Sequence, residues 1–263
     1  MFKKFILLFV FTFASVFCYS QKISAIKLDF IELEADNFIG FDGFNSCYYL
    51  KNNVLFKKID TTILQYQNLS LGKIAKVDIL NPLKIIVYYN DFNTIIILDN
   101  QLNEIQKVDF SKFDTPVVIS AAGTSGQNKL WFFNTLNQQI GLYDLVSGQF
   151  QNIGTPIREN FTYYQTDFNY FQFVNKNNQW SVYTIFGRYF QNGTIEPNAQ
   201  VQLLNDRKYL FYNGESLFLK DNSTNSKFEI DIVEKSFKKF YYKDQILSIF
   251  TDQGITNYKI TIP

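Results

Sequence analysis

Residues 71–110 read LGKIAKVDIL NPLKIIVYYN DFNTIIILDN QLNEIQKVDF, and four short strands can be drawn within them. Residues 74–80 are followed by 83–89, a turn at Asn90-Asp91-Phe92-Asn93, a run over 94–99, a turn at Asn100-Gln101-Leu102-Asn103, and a last run over 104–110. Ile85-Ile86-Val87-Tyr88-Tyr89 and Ile95-Ile96-Ile97-Leu98 are β-branched and aromatic, bounded by Asn and Asp. That composition suits strands and tight turns rather than helix. The unbroken apolar character predicts burial on both faces, as in a sheet packed between two others.

Outward from this stretch the pattern recurs. An apolar strand ending in Asp or another turn residue appears at Ile59-Asp60, Leu98-Asp99, Tyr143-Asp144, Phe186-Gly187 and Lys220-Asp221, at intervals of 34 to 45 residues. One four-stranded propeller blade has this length. The next unit spells it with 129–133, 139–144 and 149–153. Looser versions follow at 169–175 and 180–186, then at 208–212, 216–220 and 227–232. A sixth unit supplies only three strands, 235–242, 245–250 and 255–260, while 23–31 has no unit of its own. The expectation is an all-β chain: a six-bladed β-propeller over residues 21–263, closed by the N-terminal strand of the mature chain, which pairs into the last blade and covers its edge. Asp60, Asp99, Asp144 and Asp221 fall at equivalent turns, where the side chain is expected to accept from nearby backbone amides.

The first twenty residues read differently. Lys3 and Lys4 precede an apolar run over 5–17, and Cys18-Tyr19-Ser20 places small residues before a cleavage point, so 1–20 is expected to be a signal peptide. The run is shorter than the ~20 residues that span a bilayer. Export to the periplasm or outer membrane, without a membrane span, follows as the expected location. Removing the leader leaves 23 basic and 24 acidic residues, so no nucleic-acid partner is implied. Lys235, Lys238, Lys239 and Lys243 alternate with Phe237, Phe240, Tyr241 and Tyr242 and read as a solvated strand face. Cys47, alone once Cys18 has left, reads as a small buried hydrophobe.

The chain contains no histidine. That removes the usual general base for a nucleophilic Ser or Cys and the commonest zinc ligand, and no cofactor or metal is implied. Gly123-Thr124-Ser125-Gly126 lacks the spacing of a phosphate-binding loop and reads as a tight turn before Lys129. Paired carboxylates acting on a glycan stay open. The aromatic stretch over 161–173 could present a stacking platform, but Phe171 and Phe173 share one strand face and read as core.

Residues 71–92, with Ile96-Ile97-Leu98-Asp99-Asn100-Gln101-Leu102, resemble a group of exported, mostly uncharacterised β-propeller-like proteins of the Bacteroidota. The resemblance implies an envelope location and attaches no catalytic residues. The function expected is a non-enzymatic protein-interaction module, an accessory subunit of an outer-membrane export, assembly or surface complex. The alternative is a glycan-binding or carboxylate-based glycan-cleaving propeller. Partner contacts are expected at one rim, formed by the turns at 51–53, 90–93, 134–137 and 176–178 and the longer loop at 156–160. Phe92, Arg158 and Glu159 are its candidate binding residues, because aromatic and Arg side chains dominate hot spots.

Overall fold

The computed structural model describes residues 22–263; the expected signal peptide lies outside the described residues. The chain opens with the long strand β1 (Lys22–Glu32) and then forms four-stranded antiparallel sheets in succession. The first sheet is β2 (Asn37–Phe41), β3 (Cys47–Lys51), β4 (Val54–Ile59) and β5 (Thr62–Tyr66). The second is β6 (Lys76–Asp78), β7 (Ile85–Tyr89), β8 (Thr94–Leu98) and β9 (Glu104–Asp109). The third is β10 (Ile119–Thr124), β11 (Lys129–Asn134), β12 (Gln139–Asp144) and β13 (Phe150–Ile153), and the fourth is β14 (Phe161–Thr166), β15 (Tyr170–Asn175), β16 (Gln179–Thr184) and β17 (Tyr189–Thr194). Next come β18 (Gln200–Leu203), β19 (Lys208–Tyr212), β20 (Leu217–Asp221) and β21 (Ser226–Asp231). The chain finishes with β22 (Lys239–Lys243), β23 (Ile246–Phe250) and β24 (Gly254–Ile260).

The three final strands recruit β1, as expected. Ala25–Glu32 runs antiparallel to β24, from Ala25 opposite Ile260 to Glu32 opposite Gly254. The start of β1 also runs parallel to β21 over Lys22–Ser24, which fuses the last two units into one eight-stranded sheet. First and last innermost strands meet as well. Tyr241 Oη donates to Phe41 O at 3.2 Å and Lys239 Nζ to Asn37 Oδ1 at 3.1 Å.

Burial on both faces of the central strands is what holds the sheets together. Ile85, Val87 and Tyr89 of β7 join Tyr48 and Leu55 of the preceding sheet, while Ile86 and Tyr88 join Leu130 and Phe132 of the following one. Each later cluster is likewise shared by two consecutive sheets, and Phe250 and Ile255 close on Phe38 and Tyr49 of the first. A fully buried side chain of this size contributes roughly 1.5–3 kcal/mol. Phe171 and Phe173 lie in the core between the third and fourth sheets, and Cys47 is buried with Phe38, Tyr49 and Phe250 where the first sheet meets the last, its thiol pushed up to about 12 by desolvation. The architecture is that of a β-propeller.

The recurrent aspartates act as read at three turns. Asp99 Oδ1 accepts from Gln101 N and Asn103 N, Asp144 Oδ1 from Val146 N and Ser147 N, and Asp221 Oδ1 from Ser223 N, all at 2.8–2.9 Å. These bonds hold all three carboxyls below the usual range; the largest contribution comes from the Asn103 side chain at Asp99, the Ser147 amide at Asp144 and the Ser223 hydroxyl at Asp221. Asp60 differs. It occupies a two-residue turn with φ 50°. In the fourth sheet the equivalent position is Thr184, not Phe186-Gly187: its hydroxyl accepts from Phe186 N and Arg188 N. Strands β14, β17 and β18, absent from the sequence reading, complete the fourth and fifth units.

Candidate functional site

Antiparallel order sorts the turns into two ends. Turns between second and third strands, and the connections from one sheet to the next, emerge together; the remaining turns emerge at the opposite end. All the expected rim segments therefore share one end.

A repeated device builds that end. Asn53, with φ 60°, donates from Nδ2 to Gly72 O at 2.9 Å and accepts at Oδ1 from Ile74 N at 2.8 Å. Asn93, with φ 50°, does the same to Val117 O at 2.7 Å and from Ile119 N at 2.8 Å. Each asparagine thus pins the chain arriving at the next sheet. Asparagine suits the role because it tolerates left-handed backbone and carries both donor and acceptor. Gln138 and Asn178 keep the positive φ and use their carbonyls instead, accepting from Ile157 N and Ile195 N.

Phe92 sits at the tip beside Asn93, 51% exposed, with its ring leaning on Gly72. At the same end Leu69 is 81%, Val118 45% and Leu136 59% exposed, giving an arc of apolar side chains across the first three sheets. Sequence reasoning found Phe92 and missed the other three, although each stands in a turn or connection where an apolar residue is unexpected. Arg158 and Glu159 are exposed in the connection 154–160; Glu159 accepts a bond from Asn175 Nδ2.

The middle of the molecule corrects another expectation. Lys239 lies half-buried on the innermost strand β22 rather than on an outer face, and partial desolvation pushes its ammonium down to about 8. Burial does the same to Lys76 on β6, also to about 8, against the opposing pull of Asp78. Lys76 Nζ stands 3.5 Å from the ring centroid of Tyr164, a cation–π contact, and 3.4 Å from Tyr164 O. Neither lysine has a carboxylate within ion-pair distance among the described residues. Asp78 instead accepts from Thr124 N at 2.7 Å and from Thr166 Oγ1 at 3.4 Å. This bridge from the second sheet to the fourth passes over Gly123, where a Cβ would lie 1.9 Å from Thr166 Oγ1. Tyr164 crosses the same strand one step away, its hydroxyl between Ala122 N and Ala122 O.

Among the described residues no group of three or more His, Cys, Asp and Glu converges to hold a metal, and no helix is long and apolar enough to cross a membrane. No family model matches the chain, and no curated protein matches it in sequence. Similar solved structures exist. A virginiamycin B lyase from Staphylococcus aureus, solved with quinupristin as a catalytically inactive histidine-to-alanine variant, superposes with TM-score 0.55 at 14% identity, over 92% of this chain and 100% of that one. BamB from Moraxella catarrhalis gives 0.54 at 10% identity, over 89% and 99% of the two chains. A protein of unknown function from Bacteroides thetaiotaomicron gives 0.55 at 14%, over 92% and 75%. At these identities the likeness is one of fold, and the fold is the β-propeller.

Proposed function

We propose that the chain is a six-bladed propeller serving as a non-enzymatic protein-interaction module of the bacterial envelope, an accessory subunit of an outer-membrane export, assembly or surface complex. The observation that carries this reading is the apolar arc Leu69, Phe92, Val118 and Leu136: Asn53 pins the connection that bears Leu69, Asn93 the one that bears Val118, and Asn134 Oδ1 accepts from Leu136 N in the turn that bears Leu136. Exposed apolar groups on a preorganised surface favour a protein partner, because little ordering entropy is lost on docking. Arg158 and Glu159 extend the same end with charge. The envelope setting rests on the N-terminal leader expected from the sequence and on the resemblance to exported Bacteroidota proteins. A non-enzymatic role is supported by the absence of histidine, where the lyase of similar fold is inactive without one of its own.

Cross-linking in native envelopes, followed by purification and mass spectrometry, tests this. A specific partner is expected with the parent chain and with Ile105→Asp, a change on an outer strand away from the arc. It is expected to be lost with Phe92→Asp or Leu136→Asp. Recovery of the parent chain alone, or of the same partner with all variants, overturns the reading.

A further inference from the structure

The end opposite the apolar arc carries a cleft of about 270 Å³ between the second and third sheets. Its wall is the segment 124–129; of Gly123–Gly126, read from sequence as a tight turn, Gly123 and Thr124 instead end strand β10. The turn follows at 125–128: Ser125 N donates to Lys129 O at 3.0 Å and Lys129 N to Gly126 O at 3.1 Å, while Gly126 N donates to Phe168 O at 2.8 Å and ties the segment to the fourth sheet. These bonds account for the backbone. Two side chains remain unexplained. Thr124 and Ser125 are each 5% exposed, and neither hydroxyl has a hydrogen-bond partner in the protein. Buried hydroxyls are normally paired, and both residues line the cleft.

The charged side chains that line the cleft have one sign. Lys84 and Lys129 line the cleft, no Asp or Glu does, and neither lysine is ion-paired among the described residues. Lys84 reaches from the second sheet to the third, its Nζ 2.6 Å from Asn128 Oδ1, so its ammonium is already positioned at the cleft. Asp78, the carboxylate bonded to Thr124 N, also accepts from Leu80 N at 2.9 Å and from Thr166 Oγ1 of the fourth sheet at 3.4 Å, and does not line the cleft. Phe168, 42% exposed, offers an apolar wall beside the polar one.

We infer that this cleft binds a small organic oxyanion, a carboxylate or a phosphate ester, with its oxygens on the Thr124 and Ser125 hydroxyls and the lysine ammoniums and its apolar part against Phe168. Hydroxyl and ammonium donors converging without a carboxylate select an acceptor-only, negatively charged group. The site is independent of the proposed partner face.

Calorimetric titration of the full chain with inorganic phosphate, benzoate and glucose tests this. Saturable binding of phosphate or benzoate is expected, with no response to glucose; phosphate alone assigns a phosphoryl ligand and benzoate alone a carboxylate. Ser125→Ala and Lys84→Gln are each expected to weaken binding about tenfold, the loss of one charge-assisted bond. Lys84 sits in a loop outside the sheets, so its variant reports even if Ser125→Ala perturbs the fold. Absence of saturable anion binding, binding of glucose in its place, or unchanged affinity in the Lys84→Gln chain overturns the assignment.

Discussion

Asn93→Ala measures how firmly the candidate face is held. The substitution removes the bond to Val117 O at 2.7 Å and the one from Ile119 N at 2.8 Å. Val117 and Ile119 are both buried, so each loses its partner where water enters poorly, at roughly 1–3 kcal/mol apiece. Asn93 itself is half-buried, which allows some water to replace it and puts each loss at about 1–1.5 kcal/mol. The backbone adds a second cost. With φ at 50°, alanine is strained by roughly 1 kcal/mol relative to glycine. Asn93→Ala is therefore expected to destabilise the protein by about 3–4 kcal/mol, and Asn93→Gly, which breaks the same bonds without the strain, by about 2–3 kcal/mol. Urea unfolding followed by the fluorescence of the buried Trp131 and Trp180 reads both. Asn53 makes the equivalent contacts and should show the same order. An Asn93→Ala chain within about 0.5 kcal/mol of the parent, the range of an ordinary surface change, refutes the clamp. Equal costs for alanine and glycine refute its backbone component.

Three further outcomes are expected. The Asp42 and Lys57 side chains are 0% and 4% exposed with 3.8 Å between them, yet Asp42 also accepts from Phe44 N, Ser46 N and Tyr48 Oη at 2.8–3.0 Å. Asp42→Ala leaves the buried Lys57 ammonium with its bond to Asn100 O at 2.9 Å but no counter-charge, and three donors without their acceptor, and should cost about 3–5 kcal/mol, whereas Lys57→Met leaves Asp42 with its donors and should cost about 1–2 kcal/mol; thermal unfolding giving the reverse order sinks this account. Gly254→Ala, at φ 147°, puts a Cβ 2.2 Å from the Ile31 carbonyl and should open the junction of β1 with β24 at roughly 3–5 kcal/mol. Gly123→Ala meets side-chain atoms alone, Thr166 Oγ1 at 1.9 Å, Thr166 Cβ at 2.9 Å and Asp78 Oδ2 at 3.1 Å, which can move where the backbone at Gly254 cannot, and should cost less, a ranking that hydrogen exchange at β1 can check. The pH dependence follows from Lys76 and Lys239: with folded values near 8 against 10.5, the unfolded chain binds more protons between them, so stability rises as pH increases from 8. Cys47, raised from 9.0 to about 12, opposes this above pH 9 because there the folded chain holds the extra proton. Urea midpoints should therefore climb from pH 8 to 9 and flatten in the Lys76→Met, Lys239→Met double variant; a parent midpoint that falls over this range contradicts the burial of the two ammoniums.

What sequence alone could determine is what neighbours in the chain decide. Residues 85–89 and 95–98 announce buried strands because their burial on two faces needs only an unbroken apolar run. Asp99, Asp144 and Asp221 declare their turns because the bonds they accept come from two to four residues ahead. Even the pairing of β1 into the last unit could be inferred, from a strand too many at one end and one too few at the other. Tertiary structure decided the rest. Lys239 and Lys243 share an alternating pattern that suits a solvated face, and only the convergence of innermost strands on one axis moves Lys239 into a place where its charge is costly. The Asn53 and Asn93 clamps reach 19 to 26 residues along the chain, so nothing local marks them apart from other turn asparagines. Phe92 was visible as an aromatic residue in a turn, but its alignment with Leu69, Val118 and Leu136 exists only because antiparallel sheets return those turns to one end. The same holds for Thr124, at the end of β10, and Ser125, in the turn after it: the turn is local, while the burial of their hydroxyls depends on residues distant in the chain.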